Sequence, residues 1–247
     1  MFEKKYSVNY YNVDNNFKLS VTSLLRFFED LAITHSDASG LGFEFYNKNK
    51  VAWFLTRWFV KIESLPKLGE EITIITTPKS FNNFYANREF EVYNSSSKLI
   101  ITANTLWVFL DASTRKPKNI PEEVFRGYGL SDDGKKYFTK LEEIKPTAER
   151  DSEHSFRILR RDLDYNNHLN NSHYVSYGLE TIPSHIQDGM QLKQIVVNYL
   201  QEAYLNESIN VALKMGNGKE PVSCINTISR DEVELCRIKT NWISKLS

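Results

Sequence analysis

The sequence contains an internal repeat in which the second copy begins 150 residues after the first. The segment Asp14–Leu19 (DNNFKL) aligns with Asp164–Leu169 (DYNNHL), so that the aspartate, one asparagine and the leucine coincide. Further along, Asp30 falls on Glu180. A repeat with such a long period favours two similar structural modules that follow one another along the chain.

Both copies show the same order of predicted elements. Apolar residues at helical spacing predict a helix over Ser20–Ala32, with Ser20 as its N-cap, and a second helix over Asn170–Ile182. Runs rich in β-branched and aromatic residues predict four strands after each helix. These strands are Val51–Ile62, Glu71–Thr77, Phe84–Tyr93 and Leu99–Leu110, then Lys193–Tyr204, Ser208–Lys214, Val222–Ser229 and Glu232–Ile243. The pattern indicates an α+β fold with mostly antiparallel sheets.

The segment between the two copies has a different character. From Asp111 to Arg150 the chain is polar and rich in turn-forming residues, as connections between modules are. We predict an N-terminal module over residues 1–128, a linker over 129–150 and a C-terminal module over 151–247.

Composition excludes several classes of protein. The chain has 31 basic and 31 acidic residues, so no net charge indicates binding to nucleic acid or to an anionic membrane. No apolar run is long enough to span a bilayer, and the N-terminus lacks the pattern of a targeting signal, so we expect a cytoplasmic protein. Cys224 and Cys236 have no metal-ligand spacing, and we expect reduced, buried thiols.

A short polar segment ahead of the second helix carries candidate catalytic groups. Asp164, Asn166 and His168 alternate along it, and in an extended stretch side chains two residues apart lie on one side. The start of the following helix also offers backbone N–H groups to a developing oxyanion. The alternative is that these residues only form a turn and cap the helix, as Asp and Asn often do.

A possible partner for this segment follows in the next predicted strand. Glu202 is an acidic residue in the otherwise apolar run Val196–Tyr204. A buried carboxylate is costly unless it is paired or used, so Glu202 is a candidate partner for His168. The alternative is a surface position at the end of the strand.

These segments together resemble the acyl-acyl-carrier-protein thioesterases of plants and bacteria. Leu163–Asn171, with His173-Tyr174 and Leu179-Glu180 after it, is similar to the active-site segment of that family, and Tyr199–Glu202 is similar to its second catalytic segment. The N-terminal half is similar as well, in Leu24–Gly42, Trp53–Arg57, Pro66–Glu70, Trp107-Val108, and Arg115 with Ile120–Val124. The resemblance covers nearly the whole chain in order.

The resemblance implies two tandem hotdog modules, each a long helix wrapped by an antiparallel sheet. It implies hydrolysis of fatty acyl-carrier-protein thioesters to a free fatty acid and the carrier thiol, which ends fatty acid synthesis. The implied catalytic set is Asp164, Asn166, His168 and Glu202, with Asp164 either polarising the site or attacking the thioester itself. The implied partner is acyl carrier protein, and a homodimer is a further expectation. No cofactor, metal, nucleic acid or membrane is expected.

The chain departs from the plant proteins at one position. Many of them have a cysteine after the matching glutamate, where this chain has Ala203, so a cysteine–histidine mechanism is excluded at that place. The first copy has Lys18 in place of His168, and Glu63 or Ser64 in place of Glu202, so we interpret it as catalytically silent.

By analogy with the family, the silent module shapes the acyl pocket. Candidate pocket residues are Phe27, Phe28, Trp53, Leu55 and Trp58, for which ordinary core packing is the alternative. Basic residues that could meet the acidic carrier protein are Arg115, Lys116, Lys118, Arg160 and Arg161. A solvated surface is the alternative for these.

Three other functions remain open. A coenzyme A thioesterase of the same fold would use the same residues. A dehydratase or hydratase is less well supported, because the His-Phe-Pro-Gly stretch of bacterial dehydratases is absent. A non-catalytic acyl-ligand-binding protein would need a DNA-binding or partner surface that the sequence does not indicate.

Overall fold

The structure is a computed structural model that describes residues 1–130 and 138–245. Part of the predicted linker, residues 131–137, lies outside the described residues. The chain divides into two compact units, residues 1–58 with 63–141 and residues 59–62 with 142–247, which we call the first and second module. None of the helices in the described ranges is long and apolar enough to cross a membrane.

Within its described residues, the first module contributes five strands of a sheet and three α-helices. Its strands are β1 (Phe2–Ser7), β2 (Val51–Ile62), β3 (Glu71–Asn82), β4 (Tyr85–Asn94) and β5 (Leu99–Asp111). Its helices are α1 (Val21–Ala38), α2 (Phe43–Asn49) and α3 (Glu122–Gly127). The strands lie in the order β1-β3-β4-β5-β2, and β1, β3, β4 and β5 pair antiparallel. The four strands predicted for this copy are all present.

Helix α1 is held on this sheet by its apolar face. The Ser20 hydroxyl accepts a hydrogen bond from the Ser23 N–H at 3.2 Å, which confirms Ser20 as the N-cap. Phe28 then stacks on Trp58 of β2 and on Phe90 of β4, with ring centroids 5.6 and 4.7 Å apart. Each fully buried aromatic side chain of this kind contributes about 1.5–3 kcal/mol to stability.

The second module repeats this arrangement. Its strands are β6 (Ser152–Arg157), β7 (Met190–Tyr199), β8 (Ser208–Met215), β9 (Val222–Arg230) and β10 (Val233–Ser244). Its helices are α4 (Asn171–Glu180) and α5 (Ser184–Gly189). The strand order β6-β8-β9-β10-β7 matches that of the first module position for position, with antiparallel pairing.

Helix α4 packs closely on its sheet because it carries a glycine. A Cβ atom on Gly178 would lie 2.7 Å from the Cδ1 atom of Ile238 on β10, which is too close for any side chain without movement. At the aligned position α1 carries Phe28. The two modules therefore share a topology but fill the space under the helix differently.

The sequence missed some elements and misplaced several boundaries. Strands β1 and β6 were not predicted, because most of their side chains are exposed and polar. Strand β7 ends at Tyr199 rather than at Tyr204, so Glu202 lies in the turn after the strand and not within it.

Candidate active site

The segment Asp164–His168 forms a tight turn. Leu163 and Leu169 face each other as an antiparallel bridge, and the Asp164 N–H donates to the His168 carbonyl at 2.8 Å. Asn167 takes the left-handed conformation, with φ of 62°, which asparagine tolerates better than most residues. The extended stretch predicted from the sequence is therefore wrong, because the chain reverses direction within these residues.

The Asp164 carboxylate closes this turn. Its Oδ1 atom accepts hydrogen bonds from the N–H groups of Asn166 at 2.8 Å and His168 at 3.1 Å. Asn166 lies exposed at the tip of the turn, whereas Asp164 and His168 are half-buried. Asp164 thus has a structural role in addition to any chemical one.

The turn is fixed against the segment that carries Glu202. The Leu169 N–H donates to the Ala203 carbonyl at 2.8 Å, and His168 forms a backbone bridge with Tyr204. These contacts place the His168 Nδ1 atom 3.3 Å from the Glu202 Oε1 atom, with both side chains about one-fifth exposed, at 21% and 20%. The structure therefore brings together the histidine and the acid that the sequence singled out.

This pairing gives the imidazole a defined chemical character. A carboxylate beside Nδ1 favours the tautomer with the proton on Nδ1, which leaves the lone pair on Nε2. In that state His168 can take a proton from water through Nε2, and Glu202 stabilises the imidazolium that results. The arrangement is suited to general base catalysis.

Tyr204 contacts both His168 and Glu202. Its ring meets the His168 ring edge to face, with centroids 5.2 Å apart and an interplanar angle of 88°. Its hydroxyl donates to the Glu202 Oε2 atom at 3.3 Å. The sequence pattern did not single out Tyr204, because an aromatic residue in an apolar run resembles ordinary core.

Asp162 is a second residue that the sequence pattern did not single out. It holds the segment directly before the Asp164 turn through hydrogen bonds. Asp162 is buried, and its Oδ2 atom accepts from the Leu159 N–H at 2.8 Å and from the Tyr177 hydroxyl at 2.9 Å. Its Oδ1 atom lies 3.6 Å from the His173 Nδ1 atom. Burial, together with the bond to Asp162, raises the pKa of Tyr177 to about 12. The only sequence signal for this anchor is that Asp162 aligns with Asn12 in the first copy.

Two backbone N–H groups at the start of α4, where the sequence predicts oxyanion donors, are used within the helix cap. The Asn170 side chain caps the helix by accepting from the Ser172 N–H at 2.9 Å, and the Asn170 carbonyl accepts from the His173 N–H at 2.9 Å. Ser172 is also fully buried. These two N–H groups are therefore committed to the helix cap.

The first module contains the same turn without the histidine. The Asp14 Oδ1 atom accepts from the N–H groups of Asn16 at 2.8 Å and Lys18 at 3.0 Å, and Phe17 has φ of 57°. The Leu19 N–H donates to the Pro66 carbonyl at 2.8 Å. The hydrogen bonds that close this turn in the first module therefore match those that close the Asp164 turn in the second module.

This match fixes which residues correspond between the modules. Lys18 forms a backbone bridge with Lys67, as His168 does with Tyr204. Counting back from this bridge places Leu65 at the position of Glu202, so neither Glu63 nor Ser64 is its counterpart. The first module thus has lysine, leucine and lysine where the second has histidine, glutamate and tyrosine.

The candidate pocket residues of the first module lie in different surroundings. Phe28, Leu55 and Trp58 are buried. Phe27 stacks on Tyr6 with ring centroids 4.6 Å apart, while Trp53 packs near Phe109 at 4.8 Å. Phe27 and Trp53 therefore contact different aromatic neighbours.

The candidate docking cations fall into two groups. Arg115, Lys116 and Lys118 are exposed in the segment after β5 of the first module. Arg160 and Arg161 are exposed on a short 3-10 helix, Arg160–Asp162, directly before the Asp164 turn. The second group is the one adjacent in sequence to the histidine–glutamate pair.

The two cysteines are free and buried, as predicted. Burial raises the pKa of both the Cys224 and the Cys236 thiol, so neither favours the reactive thiolate. The residue after Glu202, Ala203, is fully buried and carries no functional group.

Two modules with a helix on an antiparallel sheet, one of them with a histidine–carboxylate pair, define a tandem hotdog protein with a single complete candidate site. Comparison with known proteins agrees with this class. The acyl-ACP thioesterase N-terminal domain matches residues 1–128, and the acyl-ACP thioesterase C-terminal domain matches residues 145–244. The chain belongs to the acyl-ACP thioesterase family.

Individual relatives are distant in sequence. A palmitoyl-acyl carrier protein thioesterase from Arabidopsis thaliana chloroplasts is 27% identical over 272 residues, an alignment that covers 99% of this chain and 64% of that protein. The chain thus spans 64% of the length of this curated relative.

Solved structures show the same fold over the whole chain. A protein described as an oleoyl thioesterase from Lactobacillus plantarum has a TM-score of 0.89 at 20% identity, covering 100% of this chain and 97% of that one. An acyl-ACP thioesterase from Bacteroides thetaiotaomicron has a TM-score of 0.86 at 19% identity, covering 98% and 97%. The α+β fold of two tandem hotdog modules predicted from the sequence is confirmed.

Proposed function

We propose that this protein hydrolyses fatty acyl-carrier-protein thioesters to free fatty acids and the carrier thiol, and so ends fatty acid synthesis. The observation that carries the proposal is the contact of 3.3 Å between His168 and Glu202, which the first module replaces with Lys18 and Leu65. Membership of the acyl-ACP thioesterase family supports the choice of substrate.

In the proposed reaction His168 acts as the general base. Its Nε2 atom takes a proton from water as the water oxygen attacks the thioester carbonyl carbon. The carbon–sulfur bond then breaks, and the same proton passes to the leaving sulfur to give the thiol. Glu202 holds the Nδ1 proton of His168 throughout, and such acid–base assistance contributes about 10²–10⁴-fold to rate.

Asn166 and Asp164 complete the proposed set. Asn166 is exposed at the tip of the turn. In the proposed reaction its amide orients the substrate carbonyl or thioester. Asp164 either polarises the site or attacks the carbonyl to form a transient anhydride. Both turn-closing bonds use Oδ1 of Asp164, so its Oδ2 atom is the one that direct attack would use.

Hydrolysis in ¹⁸O-labelled water tests direct attack. Label in the Asp164 carboxylate after turnover supports it, because water that attacks the aspartyl carbon of the anhydride leaves its oxygen on Asp164, whereas hydrolysis of the thioester by water itself places the label only in the fatty acid. Mass spectrometry of the peptide that contains Asp164 reads the result.

In this proposal the two modules have different functions. The module of residues 151–247 is catalytic, and that of residues 1–128 is silent and shapes the acyl pocket, with residues 129–150 between them. Acyl carrier protein docks through exposed cations, for which the candidates are Arg115, Lys116, Lys118, Arg160 and Arg161. The cytoplasmic location and the homodimer remain predictions.

A hydrolysis panel tests the function. We expect His168→Ala and Glu202→Ala to reduce the turnover of acyl-carrier-protein esters by about 10²–10⁴-fold. Lys18→Ala, the matched change in the first module, should retain wild-type activity. If both site variants keep full activity, the site assignment is wrong.

The same panel separates the alternatives when coenzyme A esters of equal chain length are included. Faster turnover of the coenzyme A esters would identify a coenzyme A thioesterase. Binding of acyl esters without turnover by the wild type would identify a non-catalytic acyl-binding protein.

A further inference from the structure

Three positions around the candidate base differ together between the two modules. The second module has His168, Glu202 and Tyr204, and the first has lysine, leucine and lysine at the matching places. The turn-closing hydrogen bonds are otherwise the same. Folding of the turn therefore does not require the tyrosine, and its presence follows that of the histidine and glutamate.

Tyr204 contacts both members of the pair. Its hydroxyl reaches Glu202 Oε2 at 3.3 Å, while the other carboxylate oxygen, Oε1, lies 3.3 Å from His168 Nδ1. Its ring stands perpendicular to the imidazole at a centroid distance of 5.2 Å. The carboxylate is thus held between a hydroxyl donor on one oxygen and the imidazole on the other.

The backbone of Tyr204 is itself fixed. Its N–H donates to Glu207 Oε2 at 2.9 Å, and the same carboxylate pairs with Arg230 at 2.7 Å. Together with the bridge to His168, these bonds fix the Tyr204 backbone next to the histidine–glutamate pair, while the residue is 44% exposed. A fixed donor can hold a carboxylate in one orientation more effectively than water does.

We infer that Tyr204 is a positioning residue for the reaction, which orients the Glu202 carboxylate and, through it, the Nδ1 proton of His168. The inference rests on the proposed function, because it assigns the role of a third side chain at the same site. The hydroxyl stabilises the ionised carboxylate, and the ring restricts the imidazole to the plane that faces Glu202.

The experiment compares Tyr204→Phe with a matched control elsewhere in the chain. Tyr93 of β4 also donates its hydroxyl to a glutamate two residues earlier, Glu91 Oε2, at the same distance of 3.3 Å. Tyr93→Phe therefore removes an equivalent bond far from His168 in sequence and outside the proposed site. Both variants keep the aromatic ring, so packing is preserved.

Turnover and its pH dependence are measured first. We expect Tyr204→Phe to lower kcat for acyl-carrier-protein esters about tenfold, with little change in KM. The acid limb of its kcat/KM profile should move to higher pH, because a carboxylate that loses a hydrogen-bond donor ionises less readily. Tyr93→Phe should leave kcat and the profile unchanged. A profile for Tyr204→Phe that coincides with the wild type would overturn the inference.

A second measurement needs no turnover. In protein with ¹³C-labelled glutamate carboxyl groups, the titration midpoint of Glu202 should move to higher pH in Tyr204→Phe and stay in place in Tyr93→Phe. The charged groups named above, His168, Glu207 and Arg230, are unchanged in both variants. An unmoved midpoint contradicts the positioning role, whereas a moved midpoint in a protein without hydrolase activity upholds only the contact between Tyr204 and Glu202 and rejects the proposed function.

Discussion

At the scale of single residues, Asp164 closes a turn, and the first module helps to separate this structural role from the proposed chemical one. Asp14 closes an equivalent turn with equivalent hydrogen bonds and has no histidine–glutamate pair beside it. The structural part of the role is therefore shared by both aspartates, and any chemical part belongs to Asp164 alone. A change that keeps the acceptor oxygen but removes the charge tests the chemical part.

We predict that Asp164→Asn and Asp14→Asn each reduce the free energy of unfolding by no more than about 1 kcal/mol, because the amide oxygen still accepts both N–H groups. Asp164→Asn should in addition lower kcat by about a hundredfold or more, and Asp14→Asn should not. Urea denaturation and initial rates measure the two effects. Equal rates for the two variants would show that Asp164 only closes the turn.

The sequence identified some site residues and missed others for clear physical reasons. His168 and Glu202 are polar residues beside apolar runs, so the sequence pattern singles them out. The contact between their side chains, however, depends on a turn that no local pattern predicts. Tyr204 resembled core, and Asp162 resembled a solvated residue near two arginines. Their roles arise from contacts between segments distant in the sequence.

At the scale of secondary structure, periodicity predicted the elements with a buried apolar face. Strand β2 was predicted with its observed bounds, and α1 was predicted up to Ala32. The helix continues to Ala38 because His35 and Ser36, which are polar, extend its buried face. Polar residues that are buried through hydrogen bonds and ring contacts escape any rule based on apolar spacing.

His35 makes the first module sensitive to acid. It is buried, its Nδ1 atom lies 3.1 Å from Arg88 Nη1, and its ring stacks on Phe2. Burial, with the charge of Arg88, lowers the pKa of His35 from 6.5 to about 4. The unfolded chain therefore binds a proton between these values that the folded protein does not bind, and stability falls as the pH falls from 6.5 towards 4.

We predict that His35 contributes a loss of about 2 kcal/mol in the free energy of unfolding between pH 7 and pH 4.5. The glutamine in His35→Gln cannot take up a proton in this pH range. The free energy of unfolding of this variant should therefore fall by about 2 kcal/mol less than that of the wild type between pH 7 and pH 4.5. His154→Gln, a change at an exposed histidine on β6, is the control and should follow the wild type. Parallel pH dependences for all three proteins would contradict the assignment.

At the scale of the whole molecule, the internal repeat accounts for the architecture. Two copies of one strand order, with one complete site, follow from the correspondence of Asp14–Leu19 with Asp164–Leu169. The sequence could not show which exposed cations a carrier protein meets, because a docking surface depends on the partner as well as on the chain.

We predict that Arg160→Glu raises KM for acyl-carrier-protein esters about three- to tenfold at low salt, with the effect diminishing as salt increases. Turnover of coenzyme A esters, which lack the carrier protein, should be unaffected. Lys116→Glu, the matched reversal in the first module, should have the smaller effect, because Arg160 lies just before the Asp164 turn. A larger effect of Lys116→Glu would place the carrier protein against the first module instead.

The shared turn has a consequence for how related sequences are judged. Because the aspartate is retained for folding in both modules, a chain that loses catalysis during evolution has reason to keep it. An aspartate–asparagine turn alone therefore does not identify a catalytic module in this chain. Under the proposed function, the histidine together with the glutamate distinguishes the catalytic module from the silent one.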